Sequence, residues 1–117
     1  MPIPDYSEKN MEKEQMIQDL LEIVRKTPGA ILGKLSLEVL YSFVSGFSFS
    51  AIMRDNYRPH FDRDFQEFTA RMFPDRNKNL HWHHLIGEDV SDIDAFWLFF
   101  DLYDRFREEQ SQENCVG

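Results

Sequence analysis

The segment HLIGEDVSDIDAFWLFFDLYDRFREEQ, from His84 to Gln110, decides the fold. Its aromatic residues recur three and four positions apart, which is the repeat of a helix that buries one face. At about 100° per residue, its apolar side chains cover more than half of the helix circumference. They are Ile93, Ala95, Phe96, Phe99, Phe100, Leu102, Tyr103 and Phe106. This breadth predicts the central helix of a small bundle, with Ser91 as its N-cap.

The remaining face of this helix is mainly acidic. We define the acidic ridge as its four carboxylate residues, Asp94, Asp101, Asp104 and Glu108. Solvent should keep these carboxylates ionised, which argues against general acid and base catalysis, because that chemistry needs burial to separate the pKa values. Arg105 follows one helical turn after Asp101, so the two can pair. Three more carboxylates precede the helix, those of Glu88, Asp89 and Asp92. All seven residues are candidates for binding a partner.

The rest of the chain also shows helical periodicity. Apolar residues predict helices over about 7–26, 37–54 and 63–73, and the short segment LHWHHLIG predicts one or two helical turns. The third of these helices should carry an apolar stripe, formed by Phe61, Phe65, Phe68 and Met72. Ser36 and Asp62 are the expected N-caps of the second and third helices. Pro28 and Gly33 mark a break after the first helix, and 30–32 reads as a short extended piece.

These patterns predict an all-α fold, a single compact bundle of four to five helices. The length of 117 residues suits one domain over 1–117, with 1–6 and 110–117 as flexible tails. Trp82 should be buried, holding the HWHHLI segment against the final helix.

Charge is distributed unevenly along the chain. The formal net charge is −8, with −1 over residues 1–80 and −7 over residues 81–117. This balance argues against nucleic acid as a partner, because binding to phosphates requires cations. An acidic surface instead complements a positively charged partner, although acidic helices also simply favour solubility.

Known catalytic and metal-binding motifs are lacking. His81, His83 and His84 are potential zinc ligands, but no cysteine or HExxH spacing accompanies them. DVSDID lacks the glycine and closing glutamate of a calcium loop. GAILGK lacks the loop length and hydroxyl residue of a phosphate-binding loop. We therefore expect no enzyme activity, no cofactor and no metal site, with a small metal-dependent enzyme using these histidines as the alternative.

The N-terminal segment and the single cysteine bear on the cellular compartment in which the protein is expected. Cys115 cannot form an internal disulfide, which suits a reducing compartment. The N-terminal segment is polar and lacks the basic start and apolar run of a secretion signal. The most apolar stretch, 35–53, is amphipathic, so we expect no membrane association and a cytoplasmic protein.

One motif layout runs through most of the chain. A Pro-Gly-x-x-x-Gly segment precedes Ser-Leu-x-x-Leu-x-x-Phe, and a phenylalanine-rich helix, a tryptophan and a closing helix with Ala-Phe and Phe-Phe follow. The matching residues are Pro28, Gly29, Gly33, Ser36, Leu37, Leu40, Phe43, Gly46, Trp82, Ile86, Ala95, Phe96, Phe99 and Phe100. This layout resembles small bacterial immunity proteins of contact-dependent and polymorphic toxin systems. In these proteins an arginine stands two residues before the proline, and Arg25 is displaced from that place by one position. Ala30 and Ile31 stand where Met and Tyr are expected.

The resemblance implies a cytosolic protein that binds and blocks a cognate toxin domain. Toxins of this kind are often nucleases with cationic substrate grooves. An acidic inhibitor would gain association rate and selectivity from opposite charge, in keeping with the −7 of the last third of the chain.

Overall fold

The computed structural model describes residues 8–116, and side chains over residues 11–112. Within this range the chain forms six helices joined by short connections, with no strand. This confirms the predicted all-α bundle, although the number of helices is six and not the four to five expected. The helices are α1 (Glu8–Lys26), α2 (Pro28–Leu32), α3 (Leu37–Asp55), α4 (Phe61–Met72), α5 (Trp82–Gly87) and α6 (Asp92–Val116). Residues 1–6, predicted to be a tail, lie outside the described range.

The break between α1 and α2 occurs at Thr27. Its hydroxyl donates to the carbonyl oxygen of Ile23 at 3.0 Å, and Pro28 then starts α2. The predicted extended piece over 30–32 is wrong, because Pro28 occupies a first-turn position, where its fixed φ favours a helix. Gly33 ends α2 with a left-handed φ of 84°, and its N–H donates to the carbonyl of Gly29.

The start of α3 is held by two side chains. Ser36 is its N-cap, as predicted, and the Ser36 hydroxyl accepts a hydrogen bond from the N–H of Val39 at 3.2 Å. The Leu37 N–H donates to a carboxylate oxygen of Asp92 at 3.3 Å. Asp92 begins α6, so this contact joins the first turns of two helices that are distant in sequence.

The start of α4 differs from the prediction. The helix begins at Phe61, and His60 rather than Asp62 occupies the N-cap position. Asp62 instead lies in the first turn, where its carboxylate accepts a hydrogen bond from the indole Nε1–H of Trp82 at 2.9 Å. The prediction of Asp62 as the N-cap was wrong, because the helix already begins at Phe61 and the Asp62 carboxylate binds this distant donor. The predicted apolar stripe of α4 is confirmed for Phe61, Phe65 and Phe68, which are buried.

The short helix α5 brings Trp82 into the centre of the protein. Trp82 is 1% exposed, which confirms its predicted burial. Its ring centroid lies 5.1 Å from that of Tyr41, and 5.2 Å from those of Phe65 and Phe99. Trp82 therefore links α3, α4 and α6, with edge-to-face geometries to Tyr41 and Phe65.

The helix α6 is the central element. It packs against α3, α4 and α5, and its predicted inward face is buried apart from one residue. Ile93 is 53% exposed, so its assignment to the core was wrong. It lies in the first turn, at the edge of the buried arc. Residues 110–116, which were predicted to belong to a tail, continue the helix to Val116.

Candidate functional site

The acidic ridge lies on the exposed face of α6. All four of its side chains are exposed, as the helical pattern predicted. Ser91 precedes this face and accepts a hydrogen bond from the N–H of Asp94 at 3.1 Å, which confirms the predicted N-cap. Asp92 and Asp94 in the first turn also interact favourably with the positive end of the helix dipole.

One carboxylate of the ridge is already paired. Asp104 accepts a hydrogen bond from the Arg25 guanidinium at 2.6 Å, and the same guanidinium lies 4.9 Å from the centre of the Phe100 ring. Burial acts to lower the pKa of Arg25, but the hydrogen bond and the charge of Asp104 outweigh it, so the pKa is raised. Phe100 and Asp104, one turn apart on α6, thus hold an arginine between an aromatic ring and a carboxylate.

The other three ridge carboxylates are available to solvent. Asp94, Asp101 and Glu108 form no ion pair with any side chain over residues 11–112. The pair expected between Asp101 and Arg105 is not formed, and both side chains are exposed. The next acidic residue, Glu109, is instead bound to Arg71 at 2.7 Å. Most of the negative charge of the ridge therefore remains uncompensated by neighbouring cations.

The three candidates before α6 have different surroundings. Asp92 is exposed, but its carboxylate also accepts a hydrogen bond from the Leu37 N–H at the start of α3 and so has a structural role. Asp89 is exposed and adopts a left-handed φ of 67°, a conformation that Asp tolerates better than most residues. Glu88 is exposed and lines a groove. The structure thus brings Glu88 and Asp92 to one groove, apart from the outward face of the acidic ridge.

This groove has a volume of about 620 Å³ and lies between the start of α3, the end of α5 and the start of α6. Its polar side chains are Glu38, His83, His84, Glu88 and Asp92, and its apolar ones include Leu37, Leu80 and Val90. The groove is open to solvent and mixes acidic and imidazole groups.

The three histidines of α5 and its N-cap cluster beside Tyr41, and the ring of His83 is the one that stacks on it. The ring centroid of His83 lies 3.8 Å from that of Tyr41 and 4.0 Å from that of His84. The Nδ1 atom of His81 lies 3.3 Å from the hydroxyl of Tyr41. Burial, followed by the nearby imidazoles of His84 and His81, lowers the pKa of His83 to about 4.

These imidazoles form a stack rather than a set of converging ligands. Among the residues that the structure describes, no group of three or more histidine, cysteine, aspartate or glutamate side chains is arranged to hold a metal ion. Cys115 lies beyond the described side chains. The geometry of the cluster therefore favours ring packing at the surface of α3 and α5.

An exposed apolar pair lies within the acidic face of α6. Trp97 is 43% exposed and Ile93, one turn earlier, is 53% exposed. The inner side of the Trp97 ring rests against Phe96 and Phe100, at centroid distances of 5.0 and 6.3 Å. These contacts leave part of the indole exposed on the helix face that carries the acidic ridge.

The two tryptophans of the chain differ in the burial and hydrogen bonding of their indole N–H groups. The Trp82 indole N–H is buried and bonded to Asp62, whereas no described residue accepts a hydrogen bond from that of Trp97. Trp97 was not among the residues predicted to bind a partner. A signal was present, because at about 100° per residue Trp97 falls on the same side of α6 as Asp101 and Asp104.

Comparisons with protein-family models, with curated proteins and with solved structures found no match for this chain. Over the described residues, no helix combines the length and apolar composition needed to cross a bilayer. The functional interpretation accordingly depends on the resemblance in sequence layout and on the surface of α6.

Proposed function

We propose that this protein is a toxin-neutralising immunity protein, which binds a cognate bacterial toxin domain and blocks it through an acidic surface. The observation that carries the proposal is the exposed Trp97 among the unpaired carboxylates of the acidic ridge. Tryptophan is enriched at the energetic centres of protein interfaces, where a few residues supply most of the binding energy. The motif layout shared with immunity proteins supports the same function.

The charge of the surface supports a cationic partner. Of the ridge carboxylates only Asp104 is paired with a cation over residues 11–112, and residues 81–117 carry a net charge of −7. Opposite charge speeds association and excludes acidic competitors. A nuclease toxin would present such a cationic surface, because it must bind nucleic-acid phosphates.

The proposal places the protein in the cytoplasm, where it would meet a toxin that enters the cell. It requires no cofactor, no nucleic acid and no membrane, since the binding energy comes from the surface of α6. The second class of function is a small metal-dependent enzyme using His81, His83 and His84. Metal analysis of the purified protein tests that alternative, and a stoichiometric zinc content would support it.

The proposed function is tested by partner identification followed by neutralisation. The protein, tagged at its N-terminus, is used to capture a toxin domain from its native host, and the captured domain is then expressed in a sensitive strain. We expect growth to be restored by the parent protein. The variant with Asp→Asn and Glu→Gln changes at all four ridge positions should restore growth less well.

Correct folding of this variant is checked by circular dichroism, because its four side chains are exposed and their loss should leave the helices intact. The proposal fails if the parent protein gives no protection against the captured domain. Equal protection by both proteins would retain a neutralising function but would remove the acidic ridge as its binding surface.

A further inference from the structure

The helix α6 contains two aromatic and carboxylate pairs with the same spacing. Phe100 and Asp104 are four residues apart and together hold the guanidinium of Arg25. Trp97 and Asp101 are also four residues apart, and both are exposed. Side chains four residues apart are neighbours on a helix surface, so the second pair can offer the same combination of ring and carboxylate.

The second pair holds no cation from its own chain. No arginine or lysine within residues 11–112 lies over the Trp97 ring, and none is paired with Asp101. Arg105 is the nearest cation along the helix, but it is exposed and unpaired with Asp101. The pair therefore presents part of an indole ring and a negative charge to solvent.

We infer that Trp97 and Asp101 form the binding site for an arginine side chain of the partner. The planar guanidinium would stack on the outer face of the indole and donate hydrogen bonds to the carboxylate of Asp101. Arginine fits this arrangement better than lysine, because it is planar, weakly hydrated and presents several donors in a fixed geometry. Tryptophan is also the aromatic side chain that binds cations best.

The neighbouring residues complete a docking surface for this arginine. Ile93 lies one turn before Trp97 and provides an exposed apolar contact, while Asp94 and Glu108 supply further negative charge. An apolar centre with a charged rim is the usual anatomy of a protein interface. The inference rests on the proposed function, because it assigns the basic partner surface to the exposed face of α6.

The test uses two labelled probe peptides, one of six arginines and one of six lysines, which carry equal charge. Binding is measured by fluorescence anisotropy at low salt, and the indole N–H resonances are followed by NMR, with Trp97→Phe identifying that of Trp97. We expect the arginine peptide to bind about three- to tenfold more tightly than the lysine peptide and to shift the Trp97 resonance. Trp97→Ala and Asp101→Asn should each remove most of this preference.

Two control variants distinguish specific binding at Trp97 and Asp101 from the general effects of net charge and of exposed aromatic surface on peptide binding. Asp75→Asn makes the same charge change on the connection before α5, and Phe49→Ala removes a side chain that is 63% exposed on α3. Both control variants should retain the arginine preference. Equal binding of the two peptides, or an equal loss in Asp75→Asn and Asp101→Asn, would overturn the inference.

The toxin assay then distinguishes the inference from the proposed function. If the parent protein neutralises the captured toxin and Trp97→Ala and Asp101→Asn do so equally well, the arginine site is refuted and the immunity function stands. If the arginine preference is found and depends on both residues, but no toxin is neutralised, the site is supported and the proposed function fails.

Discussion

Replacement of Trp82 tests the packing of the core most directly. Its side chain is 1% exposed and contacts rings from α3, α4 and α6, so Trp82→Ala should leave a cavity where three helices meet. Truncation of a buried tryptophan costs about 3–5 kcal/mol. The Asp62 carboxylate would also lose the indole hydrogen bond of 2.9 Å. Because small domains are stabilised by only about 5–15 kcal/mol, we expect this variant to fold poorly.

Trp82→Phe provides a milder variant that can be measured by equilibrium unfolding. It keeps an aromatic ring but removes part of the packing and the hydrogen bond to Asp62, which should cost about 2 kcal/mol. With a urea dependence of about 1.5 kcal/mol per M, the midpoint should fall by roughly 1.3 M. Unfolding is followed by circular dichroism, because the substitution changes the fluorescence.

Trp97→Ala is the matched control for Trp82. The Trp97 side chain is 43% exposed, so its removal should cost less than about 1.5 kcal/mol. The reasoning would be refuted if Trp82→Ala unfolded at nearly the same urea concentration as the parent protein, or if Trp97→Ala were the more damaging change. Either result would show that Trp82 does not stabilise the core in the way that its burial implies.

Three further predictions concern charge, pH and helix capping. Raising the salt concentration should slow association of the captured partner with the parent protein more than with the variant whose acidic ridge is neutralised. Stopped-flow kinetics measure both association rates, and an equal salt response would show that the acidic ridge does not attract the partner electrostatically. The folded pKa of His83, about 4, lies below its unfolded value of about 6.5, so the unfolded state binds more protons between these values. The full pKa shift would correspond to about 3 kcal/mol, but solvent screens this half-buried imidazole, so stability should fall by about 1–2 kcal/mol as pH drops through this window. Urea titrations at pH 7 and pH 4.5 give the loss of unfolding free energy between these two pH values. This loss should be smaller for His83→Gln than for the parent protein or for His84→Gln, and an identical loss in all three would contradict the prediction. Ser36→Ala should reduce stability by about 1 kcal/mol, because it removes the cap on the Val39 N–H, whereas Ser42→Ala on the exposed face of α3 should have little effect in the same unfolding assay.

Local sequence signals were sufficient for most of the fold. The cap at Ser36, the stripe of α4 and the aromatic face of α6 all depend on residues within one or two helical turns, and each is found as expected. The helical start at Pro28 was missed because a proline that ends one helix can also begin the next.

Two features that the sequence pattern did not predict arise from contacts between distant residues. Asp62 receives the indole hydrogen of Trp82, twenty positions later, and Asp92 caps a helix that begins at Leu37. Helical periodicity carries no information about such partners. Ile93 and Trp97 show a different limit, because an apolar residue at the edge of a buried arc becomes exposed when no neighbouring helix covers it.

The two faces of α6 differ in how strongly a substitution affects the stability of the protein. The inward face, with Phe96, Phe99 and Tyr103, is fixed by close packing, where even one methylene group matters. On the outward face, substitutions typically change stability by no more than about 0.5 kcal/mol. A lineage could therefore replace outward residues such as Trp97 and Asp101 one at a time and follow a changing partner, while the same helix continues to hold the protein together.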